Sequence, residues 1–145
     1  MKIDYIEAGN PGSNPKDMEF FKLIKTIDLK HSKVVAFGST RRPNIKVEDD
    51  KNLKDLLSAE CDTVVVFGKS WDFQVTDIIK TTLDENLEMI KDTIKYLSDK
   101  GKKVIFDAEH FYDGFKANKE YAMSTVKSAE ENGAMAVVLC DTNGG

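Results

Sequence analysis

The residues best suited to chemistry lie together in Val104–Gly114, which reads Val-Ile-Phe-Asp-Ala-Glu-His-Phe-Tyr-Asp-Gly. An apolar, β-type run ends abruptly in Asp107, Glu109 and His110. Charges at the mouth of an apolar core cost desolvation energy unless they are paired, hydrated or in use. Glu109 is a candidate to accept hydrogen bonds from a substrate or to act as an acid or base. The competing reading is a structural carboxylate paired with Lys69 or an arginine. Asp107 either lines the same pocket or orients a neighbour. His110 reads first as a packing residue, because a lone histidine makes a weak site. Arg41 and Arg42 in one loop suit a carboxylate or phosphate, or solvent. Trp71 in Gly-Lys-Ser-Trp-Asp lines a pocket or shields a rim.

Five β-type runs must position these groups. Their cores begin near residues 3, 34, 63, 104 and 136. Helical patterns separate them. Asn14-Pro15 opens one as N-cap and first helical residue, and its apolar stripe runs to about Leu29. Leu53, Leu56 and Leu57 mark another from about Asp50 to Ala59. A short helix is predicted over Phe73–Lys80. Thr82-Leu83-Asp84-Glu85 reads as a capping box for a long helix that stops at Gly101. Asn118 caps the last, which ends at Gly133. Continuous apolar strands alternating with helices imply a parallel α/β sheet covered by helices. Ligands in such folds bind at the carboxyl ends of strands. The loops at that end are the unusual ones: Glu7–Asn14, Gly38–Pro43, Gly68–Asp72, Asp107–Gly114 and Asp141–Gly145. Glu7, Glu109 and Thr142 are neighbours there if the strands lie in sequence order. His31 falls on the opposite face and reads as solvated.

Composition excludes several classes. With 41% hydrophobic and 32% charged residues, the chain is that of an ordinary soluble domain. A net charge of -4 and scattered Lys and Arg argue against a nucleic-acid partner. No apolar run approaches the roughly 20 residues of a membrane span. Cys61 and Cys140 are isolated and read as reduced, partly buried thiols, so the cytoplasm is the expected location. No phosphate loop, dinucleotide fingerprint, Gly-x-Ser-x-Gly, Cys-x-x-Cys or His-x-His motif is present.

The strand-end loops resemble those of the acyltransferases related to 2-isopropylmalate synthase, homocitrate synthase and citramalate synthase. The resemblance is carried by Tyr5-Ile6-Glu7-Ala8-Gly9-Asn10-Pro11-Gly12-Ser13-Asn14-Pro15, Ala36-Phe37-Gly38-Ser39-Thr40-Arg41-Arg42, Phe67-Gly68-Lys69-Ser70-Trp71-Asp72, Asp107-Ala108-Glu109-His110-Phe111 with Asp113-Gly114, and Leu139-Cys140-Asp141-Thr142-Asn143-Gly144-Gly145. They follow the family's order and look closest to the citramalate synthase branch.

The resemblance implies a TIM-type (β/α)8 barrel and a Claisen-type condensation of acetyl-CoA with a 2-keto acid. A divalent metal serves there as Lewis acid. It also implies a place in isoleucine or leucine biosynthesis and a homodimer for the full-length enzymes. It assigns Thr142 to the keto acid carboxylate and Glu109 to the active site, with Asp107 and Trp71 as weaker pocket positions. The family's Asp-Thr-Thr-Leu-Arg-Asp-Gly and its His-x-His metal pair have no counterpart here, so no residue of this chain is assigned as a metal ligand. The expectation is therefore a partial barrel over residues 1–145, strands two to six of eight, in sequence order with four helical connections. Such a piece is expected to be inactive alone and to self-associate through open sheet edges. The rivals are a related acyl-CoA lyase and a free-standing flavodoxin-like binding module. The latter predicts a sheet whose strand order reverses at a switch point.

Overall fold

The computed structural model describes residues 2–144. Five strands form one parallel sheet: β1 (Tyr5–Glu7), β2 (Lys33–Ser39), β3 (Thr63–Lys69), β4 (Lys103–Glu109) and β5 (Ala134–Leu139). Their spatial order is β1-β2-β3-β4-β5. No switch point interrupts it, which decides against the doubly wound alternative. The register aligns Glu7 with Val35, Ser39 with Phe67, Lys69 with Glu109, and Asp107 with Val138.

Four helical connections link the strands. Helix α1 (Pro15–Ile24) starts where Asn14 accepts a hydrogen bond from the Asp17 amide. It stops five residues short of the predicted Leu29. The Thr26 and Ile27 amides turn back to the carbonyls of Leu23 and Ile24, three residues before them. Ile27 is therefore exposed rather than part of a buried stripe. Helix α2 (Lys51–Ser58) buries Leu53 and Leu56.

The predicted helix after β3 is a single π-helical turn, Gln74–Ile78. Helix α3 (Leu83–Asp99) is capped by Thr82, which accepts from the Glu85 amide. The capping box is only half made. The Glu85 carboxylate turns away to the Asn44 amide and Arg41. Two helices, not one, follow β4: α4 (Phe111–Ala117) and α5 (Lys119–Glu131). The first was hidden in the sequence because Gly114 interrupts its pattern. That glycine is required by a close approach, since a Cβ there would lie 2.1 Å from the Ser70 carbonyl oxygen.

The core lies between helices and sheet. Phe21, Leu53, Leu56, Ile90, Ile94 and Leu97 pack on the helix-side strand residues Ala36, Val64, Val66, Val104, Phe106 and Ala108. The other face of the sheet carries a smaller apolar cluster, Val35, Val65 and Ile105, with Phe37 against them. Alternation along each strand puts Phe67, Lys69, Asp107 and Glu109 on that second face too. The sheet thus has a covered apolar side and a thinly packed side that turns polar toward its carboxyl end.

Candidate active site

Each site residue either lies within the last three residues of a strand, as Glu7, Asp107 and Glu109 do, or follows one within three residues, as Trp71 and Thr142 do. Parallel register brings them to one rim. Lys69 ends β3 and Glu109 ends β4, and they are directly paired partners. The Lys69 ammonium lies 2.5 Å from Glu109 Oε2. It also stands 5.7 Å from the centre of the Phe67 ring, which stacks on Phe37. Glu109 therefore has the structural partner considered from the sequence. The pair is open to solvent on one side, with side-chain exposures of 18% and 26%, so it remains accessible to a ligand.

Asp107 lies one step deeper on the same face. Burial pushes its carboxyl up to about 6, and the negative charges of Glu7 and Glu109 push it the same way. Glu7, at the end of β1, is raised by partial burial. Cys140 follows β5, and its thiol is raised to about 11 by burial and by Asp107, Glu109 and Glu7. Glu7 and Glu109, from β1 and β4, thus both act on Asp107 across the rim, and Lys69 is paired with Glu109. The rim therefore carries a net negative charge beside the Thr142 loop.

The two following loops are bonded together. The His110 amide donates to Thr142 Oγ1 at 2.9 Å, and the Phe111 amide to the Cys140 carbonyl at 3.2 Å. Asn143 donates to Asp113 Oδ2 at 2.9 Å. His110 adopts a left-handed conformation, φ 57°, as the chain turns from β4 into α4. Its ring lies 5.8 Å from that of Trp71. Its Nδ1 is buried, and the nearest acid, Asp113, is 3.6 Å away. Trp71 is held from behind. Ser70 bonds Thr125 at 2.7 Å, and Asn118 donates to Asp72 at 3.2 Å. Glu109, Asp107 and Thr142 thus share one rim, and Trp71 joins it through His110.

The arginine pair does not belong to this rim as a free anion site. Arg41 is buried between Glu85 and Asp92, at 2.6 and 2.8 Å. Arg42 stays largely exposed, with Asp50 at 3.4 Å. Sequence reasoning also left Lys69 out of the functional set and gave His110 little weight. The signal for Lys69 was its place at a strand end, two residues before Trp71.

A divalent metal is part of the chemistry that the resemblance implies. Among the described residues no three His, Cys, Asp or Glu side chains form a group able to hold one. The rim's own donors do not make a ligand set among the described residues. No helix among the described residues is long and apolar enough to cross a membrane.

Known proteins agree with this architecture. The (R)-citramalate synthases of Aquifex aeolicus and Sulfolobus acidocaldarius are 55% and 52% identical to the chain over 143 residues. The match covers 99% of this chain and 27% of each relative. A homocitrate synthase of Sulfolobus acidocaldarius is 30% identical over 98% of the chain and 29% of its own length. The chain spans between a quarter and a third of the curated relatives it matches. Among solved structures, hydroxymethylglutaryl-CoA lyase from Pseudomonas aeruginosa superposes with a TM-score of 0.68 at 18% identity, over 96% of this chain and 46% of that one. The Bacillus subtilis HMG-CoA lyase gives 0.66 at 17% identity, over 98% and 47%. At that identity the likeness concerns the fold alone, an arc of the lyases' barrel. The family model described as HMGL-like matches residues 1–145, and the chain therefore belongs to the HMGL-like family.

Proposed function

We propose that this chain forms one wall of the active site of an acetyl-CoA-dependent 2-keto acid acyltransferase of the citramalate synthase type. The observation that carries the reading is the identity of 55% to an (R)-citramalate synthase across 99% of the chain. A homocitrate synthase at 30% identity is consistent with the broader class.

In this reading the Thr142 hydroxyl donates a hydrogen bond to the carboxylate of the keto acid. Glu109 accepts from the substrate or moves a proton, and Lys69 fixes its orientation. Asp107 and Trp71 line the pocket, with Asp107 holding a proton more readily than an exposed carboxyl. Phe37 and Phe67 form the apolar floor beneath the charged pair. Acetyl-CoA is the co-substrate of the whole enzyme. Its divalent metal is assigned to segments other than this one. The chain alone is inactive in this reading, and its open sheet edges favour self-association.

The test is a segment exchange. The corresponding 143 residues of the Aquifex aeolicus synthase are replaced by this chain, and CoA release from acetyl-CoA and pyruvate is measured. The expected result is turnover within about tenfold of the parent, since strand-end residues and register are supplied intact. A folded exchange enzyme that releases CoA with no 2-keto acid would sink the reading. If it instead cleaves a 3-hydroxyacyl-CoA, the lyase branch replaces it. CoA release by the isolated chain would remove the claim that it is inactive alone.

A further inference from the structure

The hydrogen bonds around Thr142 carry more than its assignment as a ligand. A hydroxyl offers one hydrogen and accepts through its lone pairs. At Thr142 the oxygen already accepts from the His110 amide at 2.9 Å. Among the described residues none accepts its hydrogen, which can therefore donate, and a carboxylate oxygen can only accept. The His110 bond therefore sets the polarity that a carboxylate ligand requires. It works only while the exposed loop after β5 stays close to the start of α4.

One side-chain bond holds that loop from the next residue. Asn143 Nδ2 donates to Asp113 Oδ2 at 2.9 Å. Asp113 stands on the first turn of α4. The next residue, Gly114, packs against the Ser70 carbonyl too closely for any Cβ. The Gly114 amide bonds the His110 carbonyl at 2.9 Å. Asp113 is thus mounted on a tightly seated element, whereas Thr142 and Asn143 lie in an exposed segment. The other group near Asp113 is His110 Nδ1 at 3.6 Å, too far for a hydrogen bond. Among the described residues Asn143 is the one group hydrogen-bonded to the carboxylate.

We propose that Asp113 is a positioning residue that, through Asn143, holds the Thr142 hydroxyl against the His110 amide and so directs its hydrogen to a carboxylate oxygen of the substrate. The proposal rests on the reading of Thr142 as a keto acid ligand. The latch itself is a property of this chain alone and is tested there first.

Amide hydrogen exchange on the isolated chain reads the latch. Asp113→Ala and Asn143→Ala are expected to speed exchange of the His110 amide by about tenfold, while the Phe111 amide, bonded to the Cys140 carbonyl, keeps its rate. An unchanged His110 amide overturns the proposal. Equal acceleration of both amides overturns it as well, because that is general loosening.

The exchange enzyme reads the consequence. Asp113→Ala is expected to raise KM for pyruvate about tenfold, with kcat changed less than about twofold and KM for acetyl-CoA unaltered. Asp113→Asn still offers a carbonyl oxygen to Asn143 and is expected to recover most of the loss. Equal damage to kcat and to both KM values, without rescue, marks a merely structural residue and rejects the proposal. If the unmutated exchange enzyme folds but condenses no keto acid, the reading of Thr142 fails with the directing role. The exchange rates still decide the latch.

Discussion

Two clusters of charge at the carboxyl end of this sheet have opposite designs. At Arg41 one guanidinium is met by two carboxylates, Glu85 and Asp92, and its backbone amide is met by the Thr93 hydroxyl. Its side chain is 7% exposed. At the β4 rim, Lys69 pairs with Glu109 alone, while Asp107, beside the charges of Glu7 and Glu109, holds its proton up to about 6. The first cluster is fully engaged in joining the β2–α2 loop to α3. The second has unspent negative charge, open to solvent, at the edge of an apolar floor. Unbalanced charge in a partly buried position is what a site for a ligand looks like. A buried cation with a carboxylate bonded on each side is what a structural tie looks like.

The contrast is broken most forcefully by removing Arg41. Arg41→Ala removes a buried side chain and leaves Glu85 and Asp92, both partly solvated, without their common partner, and is expected to cost about 3 kcal/mol of stability. Urea unfolding measures it, and a loss below about 1 kcal/mol would show that the tie is not structural. Next comes Glu109→Gln in the exchange enzyme. It keeps the side chain's size but removes the charge and the proton acceptor. The expected loss is about 100-fold in kcat/KM, equivalent to about 2.7 kcal/mol, with the fold intact. Turnover within threefold of the unmutated exchange enzyme would return Glu109 to the class of structural carboxylates.

The smallest effect has a signature in pH. The Asp107 carboxyl titrates near 3.8 in the unfolded chain and at about 6 when folded. The folded state therefore binds that proton more tightly. Its stabilising contribution is full below about pH 4 and is lost as pH rises through about 6. Asp107→Asn, neutral throughout, is expected to gain about 1 kcal/mol over the natural chain at about pH 8 and nothing at about pH 4. The figure is kept small because the group is only half-buried and solvent screens it. Equal effects at both pH values would dissolve the contrast from the other side.

Much of the scaffold was legible in the residues. Strand cores announce themselves by runs such as Val64-Val65-Val66, buried on both faces. Helix starts are written in caps whose side chains bond the chain locally, as Asn14, Thr82 and Asn118 do. The end of α1 and the whole of α4 were not legible. Turn bonds decide one, and the close packing of Gly114 on Ser70 decides the other. Neither leaves a period in the sequence.

The same division runs through the site. Strand-end position marked Glu7, Glu109 and Thr142 as neighbours, and the resemblance to the acyltransferase family grouped Glu109 and Thr142 with Asp107 and Trp71 as substrate-binding candidates. The family was legible because its strand-end loops are contiguous stretches of sequence. Residue type alone could not separate Arg41 from Lys69, two cations at the carboxyl ends of adjacent strands. That depended on which acids stand across from each: Glu85 and Asp92 come from a helix some 44 and 51 residues further on, and Glu109 from the next strand, 40 residues on. Charge compensation is a sum over neighbours in space. The sequence supplies the charges, but only the folded sheet, with its parallel register, brings the terms of that sum together.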